Sequence, residues 1–426
     1  MSRSFDILIF QHFCFILGGV ETLYYRMMKW ANSKGMKSIL IIDGDSQVDS
    51  TWKIKLKENN VELYYIFGVY PFYMIKDEQG IILDLSEYKS VLHISEFYEG
   101  YIRGEYLKSR YTFTVFVNLF YVLTSYDMMK SRIPLVRYLE SKILGHIIES
   151  NSIVFMDEET RKIAVNAHNE LYACGQTIVR LGYEVSPEIS ERLLYKKYNN
   201  FERHICSIAR FEFPFKIYIL GLIDVFVSLS KKYPILKLTI IGKGPGRNTV
   251  IKKIGELDNN IAERITLVDG CSYEELNTYI DEAFINVGMG TTILDFANRS
   301  VPSIISLANE IGDVSYGLWN ENWHVLGGFL HDNMAPLKSI SQCIEDVLQL
   351  EQKEYINICK LHRSLLINNY GMENVMENIL THDVVNVNPI NPFLLHAYSV
   401  FRCFRTAVEG LLPKLSIWFT RDKRSL

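Results

Sequence analysis

The pattern of apolar and polar positions predicts that the chain opens as a strand–loop–helix–strand unit. Residues 6–10 form a compact apolar run typical of a buried parallel strand. A glycine loop follows, and apolar residues then recur at helical spacing over residues 20–34, with Gly35 at the expected helix end. Residues 38–42 form the next apolar run. This order is typical of a doubly wound α/β fold.

The chain contains two regions in which strands and helices alternate in this way. In the first region, further strands are predicted at residues 61–67, 90–94, 112–119 and 152–156. The second predicts strands at residues 204–209, 236–241, 265–268, 284–287 and 301–306, with helices at 216–232, 273–282 and 291–298. The polar stretch 183–203 between them is predicted to be a linker. We therefore expect Rossmann-like domains at residues 1–185 and 186–380 and a helical segment at 381–426.

Composition narrows the class of protein. A length of 426 residues suits two domains, and a net charge of −4 argues against a nucleic-acid-binding protein. The seven cysteines are scattered and include no C-x-x-C pair, which argues against a disulfide framework and a structural zinc site. No apolar stretch reaches 18 residues, and no signal-peptide pattern begins the chain. These features predict a cytoplasmic protein without a transmembrane helix.

The C-terminal stretch, residues 392–426, differs from the rest. It carries six cations and two acids, a net charge of +4, interleaved with Trp, Phe and Leu. One interpretation is an interfacial helix that binds the inner face of the cytoplasmic membrane. The other is a closing helix that packs on the first domain with its basic face in water. The sequence is compatible with both interpretations.

Two cations mark a candidate anion site in the second domain. Arg210 lies at the end of the strand predicted at 204–209, and Lys216 follows it. The carboxyl edge of a parallel sheet is where anionic ligands bind. An arginine can grip a phosphate with two parallel hydrogen bonds, while a lysine supplies a point charge. The alternative is that both are solvated cations near a helix start.

A glycine turn supplies the second part of that site. Gly288, Met289, Gly290 and Thr291 precede the helix predicted at 291–298. Glycines let backbone N–H groups approach an anion, and a helix N-terminus favours negative charge. Asp295, one turn into the helix, is placed to accept hydrogen bonds from ribose hydroxyls. Together these residues describe a site for the diphosphate and ribose of a sugar nucleotide.

Residues 205–306 resemble the donor-binding domain of family 4 glycosyltransferases, particularly those of bacterial surface-polysaccharide assembly. The resemblance rests on five stretches, residues 207–210, 213–216, 236–246, 273–276 and 288–302. The Gly18-Gly19-Val20-Glu21 run resembles the family's first-domain glycine loop, which abuts the donor phosphates. The resemblance implies the GT-B fold, in which two Rossmann-like domains face a cleft.

The resemblance also assigns roles. It implies that Arg210 and Lys216 hold the diphosphate, that residues 288–291 supply backbone N–H groups, and that Asp295 binds ribose. It implies a retaining transfer from a nucleotide-diphosphate sugar to a glycan or lipid-linked acceptor, without a cofactor or metal. His93, at a predicted strand end, is expected to face the cleft and touch the donor or acceptor sugar; the alternative is a histidine that only caps the strand end. The chain departs from the family at Val287, where the family has a glutamate.

The sequence also admits four other interpretations. Asp43-Gly44-Asp45 has the Asp-x-Asp spacing of a metal site, but its place after a predicted strand favours turn chemistry. A dinucleotide site would use Asp43 for ribose, but Gly18-Gly19 lacks the full G-x-G-x-x-G pattern. A sugar-nucleotide epimerase or phosphorylase-like enzyme of the same fold remains open. Val287 also leaves open a non-catalytic subunit that binds a sugar nucleotide or a partner.

Overall fold

The computed structural model describes residues 4–16, 18–44, 46, 48–123, 131, 133–173, 177–271, 273–328, 330 and 336–411. The chain forms two compact units. The first comprises Met1–Gly182 together with Met372–Leu426, and the second comprises Tyr183–Gly371. Among the helices of the described part, none combines the length and apolarity needed to cross a bilayer.

The first unit contains a seven-stranded sheet in the order β4-β3-β2-β1-β5-β6-β7, parallel except for the edge strand β4. Its strands are β1 (Ile7–His12), β2 (Lys37–Asp43), β3 (Val61–Phe67), β4 (Met74–Lys76), β5 (Ser90–Ser95), β6 (Val115–Val122) and β7 (Ile153–Phe155). Its first five helices are α1 (Gly19–Ser33), α2 (Ser50–Glu58), α3 (Tyr98–Arg110), α4 (Pro134–Glu149) and α5 (Glu158–Ala167). Strand β1 is buried along its whole length, as a central parallel strand requires.

Helix α3 packs against the sheet through two glycines. A Cβ atom on Gly104 would lie 2.3 Å from Oδ1 of Asn118, and one on Gly100 would lie 2.7 Å from Cβ of Ser95. Any larger residue at either position would push the helix away from β5 and β6. The close approach leaves β5 buried on the side that faces α3.

The chain returns to the first unit after the second. Helix α14 (Met372–Thr381) packs on α1, and α15 (Pro392–Leu411) packs on α4 and α3. The sequence predicted that the second domain runs to residue 380, whereas the second unit ends at Gly371. The reason is tertiary, because the apolar side chains of Val375, Met376 and Ile379 join the core of the first unit.

The second unit contains a six-stranded sheet in the order β10-β9-β8-β11-β12-β13, in which only the pairing of β13 with β12 is antiparallel. Its strands are β8 (Arg203–Ile208), β9 (Leu236–Ile241), β10 (Ile265–Val268), β11 (Ile285–Gly288), β12 (Ser303–Ser306) and β13 (Ser315–Leu318). Its helices are α6 (Glu191–Tyr198), α7 (Tyr218–Lys232), α8 (Arg247–Gly255), α9 (Asn259–Ala262), α10 (Tyr273–Glu282), α11 (Thr291–Asn298), α12 (Ile340–Leu348) and α13 (Gln352–Tyr370). The predicted α/β class with two parallel-dominated sheets is confirmed.

The stretch predicted as a linker, residues 183–203, contains helix α6 and belongs to the second unit. Leu194 is its buried anchor in the core of that unit. The composition is polar because five of the eight residues of this short helix are exposed, so the pattern alone resembles a linker.

Candidate functional site

Each sheet reverses its strand order at one point. In the second unit β8, β9 and β10 progress in one direction, and β11 then pairs on the other side of β8. In the first unit the corresponding reversal lies between β1 and β5. Ligands of open α/β sheets bind at such switch points, outside the carboxyl ends of the strands. The loops that follow β8 and β11 therefore form the candidate site of the second unit.

Lys216 joins these two loops. Its side chain is half-buried, and Nζ donates a hydrogen bond of 3.5 Å to the carbonyl oxygen of Met289. Burial lowers the pKa of Lys216 to about 8, with a smaller lowering from the charge of Arg210 and an opposing effect of Glu212. Within the described part of the chain, no carboxylate lies within ion-pair distance of Nζ. A partly dehydrated, unneutralised cation is well suited to bind an anion.

Arg210 is less fixed than Lys216. Its side chain is 59% exposed, and Nη1 lies 3.2 Å from Oε1 of Glu212. An exposed ion pair of this kind contributes little stability, so the guanidinium can leave Glu212 for a phosphate at small cost.

The Arg210 loop is shaped by glycines in the loop after β9. The N–H of Phe211 donates to the carbonyl of Lys243 at 2.7 Å, and the N–H of Gly246 donates to the carbonyl of Phe211 at 2.9 Å. Gly244 has φ +141°, a conformation that side chains disfavour. A Cβ atom on Gly242 would lie 1.9 Å from the carbonyl oxygen of Ala209. These glycines therefore position the loop that carries Arg210.

The glycine turn after β11 differs in one detail from the prediction. Gly290 has φ +76° and ψ −150°, a region that only glycine occupies readily. Its N–H donates to the carbonyl of Leu326, so this group is already engaged and is not one of the expected anion donors. Thr291 and Thr292 begin α11, where the first N–H groups lack carbonyl partners one turn back. Gly288 ends β11 beside them.

Asp295 lies one turn into α11 and is half-buried. Its Oδ1 accepts a hydrogen bond of 2.5 Å from the hydroxyl of Tyr183, which is itself buried. The backbone N–H of Tyr183 donates to the carbonyl of Tyr370 at 2.7 Å. The carboxylate predicted to bind ribose is thus oriented by an anchored tyrosine, which the sequence pattern did not reveal.

Val287 is a core residue. It is fully buried in β11, and its carbonyl accepts a hydrogen bond of 2.6 Å from Oγ of Ser207. A glutamate at this position would place a carboxylate among the apolar side chains of the unit's core. The strand geometry therefore explains why an apolar residue stands there.

In the first unit, Gly18 and Gly19 begin α1. Gly18 caps the helix, and a Cβ atom on it would lie 2.2 Å from Oε2 of Glu21. Glycine at this position lets the Glu21 carboxylate fold back over the helix N-terminus, where the helix dipole stabilises negative charge. That this loop abuts the donor phosphates stays a prediction.

A buried charged cluster lies at the switch point of this unit. His12 ends β1, and its Nδ1 pairs with Oε1 of Glu96, which directly follows β5. The hydroxyl of Tyr24 donates to Oε2 of Glu96 at 2.5 Å, and Oε1 of Glu21 lies 3.7 Å from Nε2 of His12. Burial alone would lower the pKa of His12, but Glu96 and Glu21 outweigh it and raise the pKa to about 9.

The sequence prediction missed this cluster, although it contained a signal for it. His12 and Glu96 are polar residues that follow apolar strands, and the two strands pair with Gln11 opposite Ser95. Polar residues at the carboxyl ends of neighbouring parallel strands are expected to meet. The sequence pattern does not show which strand pairs with β1, so it could not indicate that β5 is its neighbour.

The expectation that His93 faces a cleft is corrected. The residue is in the middle of β5, is fully buried, and its Nδ1 lies 2.9 Å from Oδ1 of Asn118. Burial lowers the pKa of His93 to about 4, so the ring is neutral at physiological pH. The side chain points under α3, because the odd-numbered residues of β5 alternate to that face.

Asp43 is engaged by arginines. It forms an ion pair with Arg103 and lies 3.4 Å from Nη2 of Arg402 on α15. The N–H of Ser46 donates to its carbonyl at 2.9 Å, the turn that the sequence favoured over a metal site. Asp45 lies outside the described residues.

Among the comparisons with known proteins, only those with solved structures give matches, and these support the fold. No protein-family model matches the sequence, and no curated protein matches it. A glycosyltransferase from Rickettsia africae is similar with a TM-score of 0.58 at 14% identity, covering 88% of this chain and 97% of that one. HepE from Anabaena, in complex with UDP and glucose, is similar with a TM-score of 0.53 at 12% identity, covering 88% of this chain and 98% of HepE.

TarM from Staphylococcus aureus, in complex with fondaparinux, α-GlcNAc-glycerol and UDP, gives a TM-score of 0.51 at 12% identity. That similarity covers 88% of this chain and 99% of TarM. Nearly the whole length of each of these three structures aligns with this chain. Both units of the chain show the doubly wound topology. The chain therefore has the GT-B fold of these glycosyltransferases.

Proposed function

We propose that the protein is a retaining glycosyltransferase that moves a sugar from a nucleotide-diphosphate donor to a glycan or lipid-linked acceptor. The observation that carries this proposal is the meeting of Lys216 with the Met289 carbonyl at the switch point of the second unit. An unneutralised lysine beside a glycine turn and a helix N-terminus provides three independent attractions for a diphosphate. The similar structures of HepE and TarM contain UDP, which supports a nucleotide donor here.

The donor would be held by residues of known position. Lys216 and the first N–H groups of α11 face the diphosphate, and Arg210 leaves Glu212 to complete the grip. Asp295, oriented by Tyr183, accepts hydrogen bonds from ribose hydroxyls. Because Val287 is apolar and buried, contacts to the donor sugar come from other residues.

The chemical step is mainly electrostatic. The sugar leaves with its configuration retained, by departure of the nucleotide diphosphate from the face that the acceptor attacks. Negative charge grows on the leaving phosphate, and Lys216, Arg210 and the helix N–H groups stabilise it. This route uses neither a separate general base nor a metal ion.

The proposed acceptor is based on the resemblance to family 4 glycosyltransferases, and the proposed location is based on the basic C-terminal stretch, residues 392–426. We propose a surface-polysaccharide acceptor and a cytoplasmic protein that binds the inner membrane face through its C-terminal basic residues. The described part of that segment, to Leu411, includes α15, which packs on the first unit. Membrane contact would then fall mainly to residues 412–426, which lie outside the described residues and carry four cations and one acid.

The decisive experiment is a donor screen with the full chain. UDP-, GDP-, TDP- and ADP-sugars are tested for hydrolysis and for transfer to membrane lipid extracts, and the product anomer is determined by NMR. We expect turnover with one base, retention of configuration, and loss of turnover in Lys216→Ala. Turnover that is equal in Lys216→Ala would reject the site, and an inverted product would reject the mechanism.

Two rival functions make different predictions in the same screen. A non-catalytic subunit, which the apolar Val287 favours, would bind a nucleotide diphosphate tightly and give no turnover with any acceptor. A sugar-nucleotide epimerase would convert the free donor without an acceptor. Either outcome would replace the transferase proposal while leaving the diphosphate site in place.

A further inference from the structure

A cavity lies in the second unit, away from the candidate donor site. It has a volume of about 790 Å³ and is lined by residues of α6, α10 and the beginning of β8, including His204. His204 is near the amino end of β8, whereas Arg210 follows its carboxyl end. The two positions are six residue steps apart along an extended segment, roughly 20 Å at about 3.3 Å per step. The cavity is therefore a distinct site.

Lys197, in the last turn of α6, lines this cavity. Throughout the described chain, its Nζ has no hydrogen-bond or ion-pair partner. Burial lowers its pKa to about 8; the charged and titratable groups that act on it are Cys359 from α13, Asp281 from α10 and Arg299 after α11. Lys197 is half-buried, and partial removal of its ammonium group from water without a counter-ion is unfavourable; an anion beside it would offset that cost.

The carboxylates around the cavity are already engaged. Oδ1 of Asp281 accepts a hydrogen bond of 2.7 Å from Nε of Arg299. Glu202 lies 2.6 Å from Nζ of Lys237. The remaining lining carboxylate, Glu282, is exposed, and solvent and salt screen its charge. The positive charge of Lys197 is thus left without a close neutralising partner in the cavity.

The rest of the lining is amphipathic. Ile189, Leu193 and Leu194 contribute apolar surface, and Asn199 and Asn200 contribute amide groups. Small-molecule sites commonly combine an apolar wall with a few placed polar groups, in cavities of this size. Together with the unpartnered ammonium, this lining is complementary to a molecule with one anionic head and an apolar body.

We propose that this cavity binds a small organic anion, a carboxylate or a phosphate monoester. Its head group pairs with Lys197, and its apolar part packs against Leu193 and Leu194. The site is independent of the proposed transfer reaction. A bound anion returns the lysine to its protonated form, and a protonated amine does not react with acylating reagents.

The test is residue-resolved labelling of the full chain at pH 8. Acetic anhydride is applied without ligand, with hexanoate, and with phenyl phosphate, each at about 10 mM, and acetylation of Lys197 is measured by peptide mass spectrometry. We expect Lys197 to be labelled readily alone and at least about tenfold more slowly with a bound anion, because its pKa moves back toward 10.5. Lys252, which is exposed on α8, is the internal control and should not change.

The two probes separate the sources of the anion. Protection by hexanoate alone assigns a carboxylate, and protection by phenyl phosphate alone assigns a phosphate monoester. Calorimetry is then run with the probe that protects Lys197. We expect the heat of binding to disappear in the Lys197→Gln variant and to persist in the Lys252→Gln variant. Equal labelling of Lys197 with and without both probes would overturn the proposal, as would unchanged binding in Lys197→Gln.

Discussion

Nζ of Lys216 lies 3.5 Å from the carbonyl oxygen of Met289, so the loop after the first strand of the second unit meets the turn before α11. The two residues are 73 positions apart in the sequence. Their contact places a cation and a helix N-terminus on one side of a switch point. The predictions for the donor site depend on this relationship.

Replacement of the two cations should weaken nucleotide binding. Lys216→Ala is expected to reduce the affinity for a nucleoside diphosphate by about 1.5–3 kcal/mol, as for a hydrogen bond to a charged group. Arg210→Ala should fall at the lower end of that range, because its exposed side chain must first leave Glu212. Calorimetry measures both. Lys231→Ala, at the far end of α7, is the matched control, and unchanged affinity in both site variants would reject the assignment.

Nucleotide affinity should fall at alkaline pH. The diphosphate binds the protonated form of Lys216, whose pKa in the free protein is lowered to about 8 by burial. Affinity should be level below pH 8 and decline by up to about tenfold per pH unit above it, until the pKa of the complex is reached. Calorimetry from pH 6.5 to 9.5 measures the profile. Lys216→Arg, which stays charged, should flatten it; an identical decline in that variant would contradict the prediction.

The His12 cluster should make the first unit less stable at high pH. The folded pKa of His12 is about 9, above the ordinary value of 6.5, so its stabilisation is complete below pH 6.5 and disappears as pH rises through 9. The shift corresponds to roughly 3 kcal/mol. Urea unfolding of the wild type and His12→Gln at pH 6 and pH 9.5 measures it.

We expect the stability difference between these two proteins to shrink by that amount at the higher pH. His204→Gln, in the second unit beside the exposed Glu202, is the matched control variant. A difference between wild type and His12→Gln that is constant with pH would show that the buried ion pair does not form.

Truncation after Leu411 should separate packing from membrane binding. Leu395 and Tyr398 of α15 are buried in the first unit, and Oγ of Ser399 donates to Glu99 at 2.7 Å. Removal of residues 412–426 alone is expected to leave the melting temperature nearly unchanged and to reduce flotation with anionic vesicles. Neutral vesicles are the control. Equal flotation of both proteins with anionic vesicles would reject membrane contact by this segment.

Periodicity was sufficient for most of the secondary structure. The predicted strands at 61–67, 236–241 and 265–268 and the helices at 273–282 and 291–298 match the structure residue for residue. These elements have strong apolar periods and clear ends, because buried strands and amphipathic helices require them. The antiparallel edge strands β4 and β13 were missed, since short edge strands lack a continuous apolar run.

The residue types of the candidate site were also visible in the sequence. Arg210, Lys216, Gly290 and Asp295 follow strands or begin a helix, and local pattern places such residues at a sheet edge. Local pattern does not show what each group already contacts. The engagement of the Gly290 N–H by Leu326, and the burial of His93 beneath α3, depend on residues distant in sequence.

The sequence by itself determined the alternation of strands and helices, the two-unit organisation and the cations that flank the second switch point. Those features follow from local periodicity and turn chemistry, which act over a few residues. Only the tertiary structure decided which strands are neighbours, and therefore that His12 meets Glu96, that α14 and α15 return to the first unit, and that Lys197 lines a cavity. Each of these depends on packing between segments far apart in the chain, for which one sequence carries no local signal.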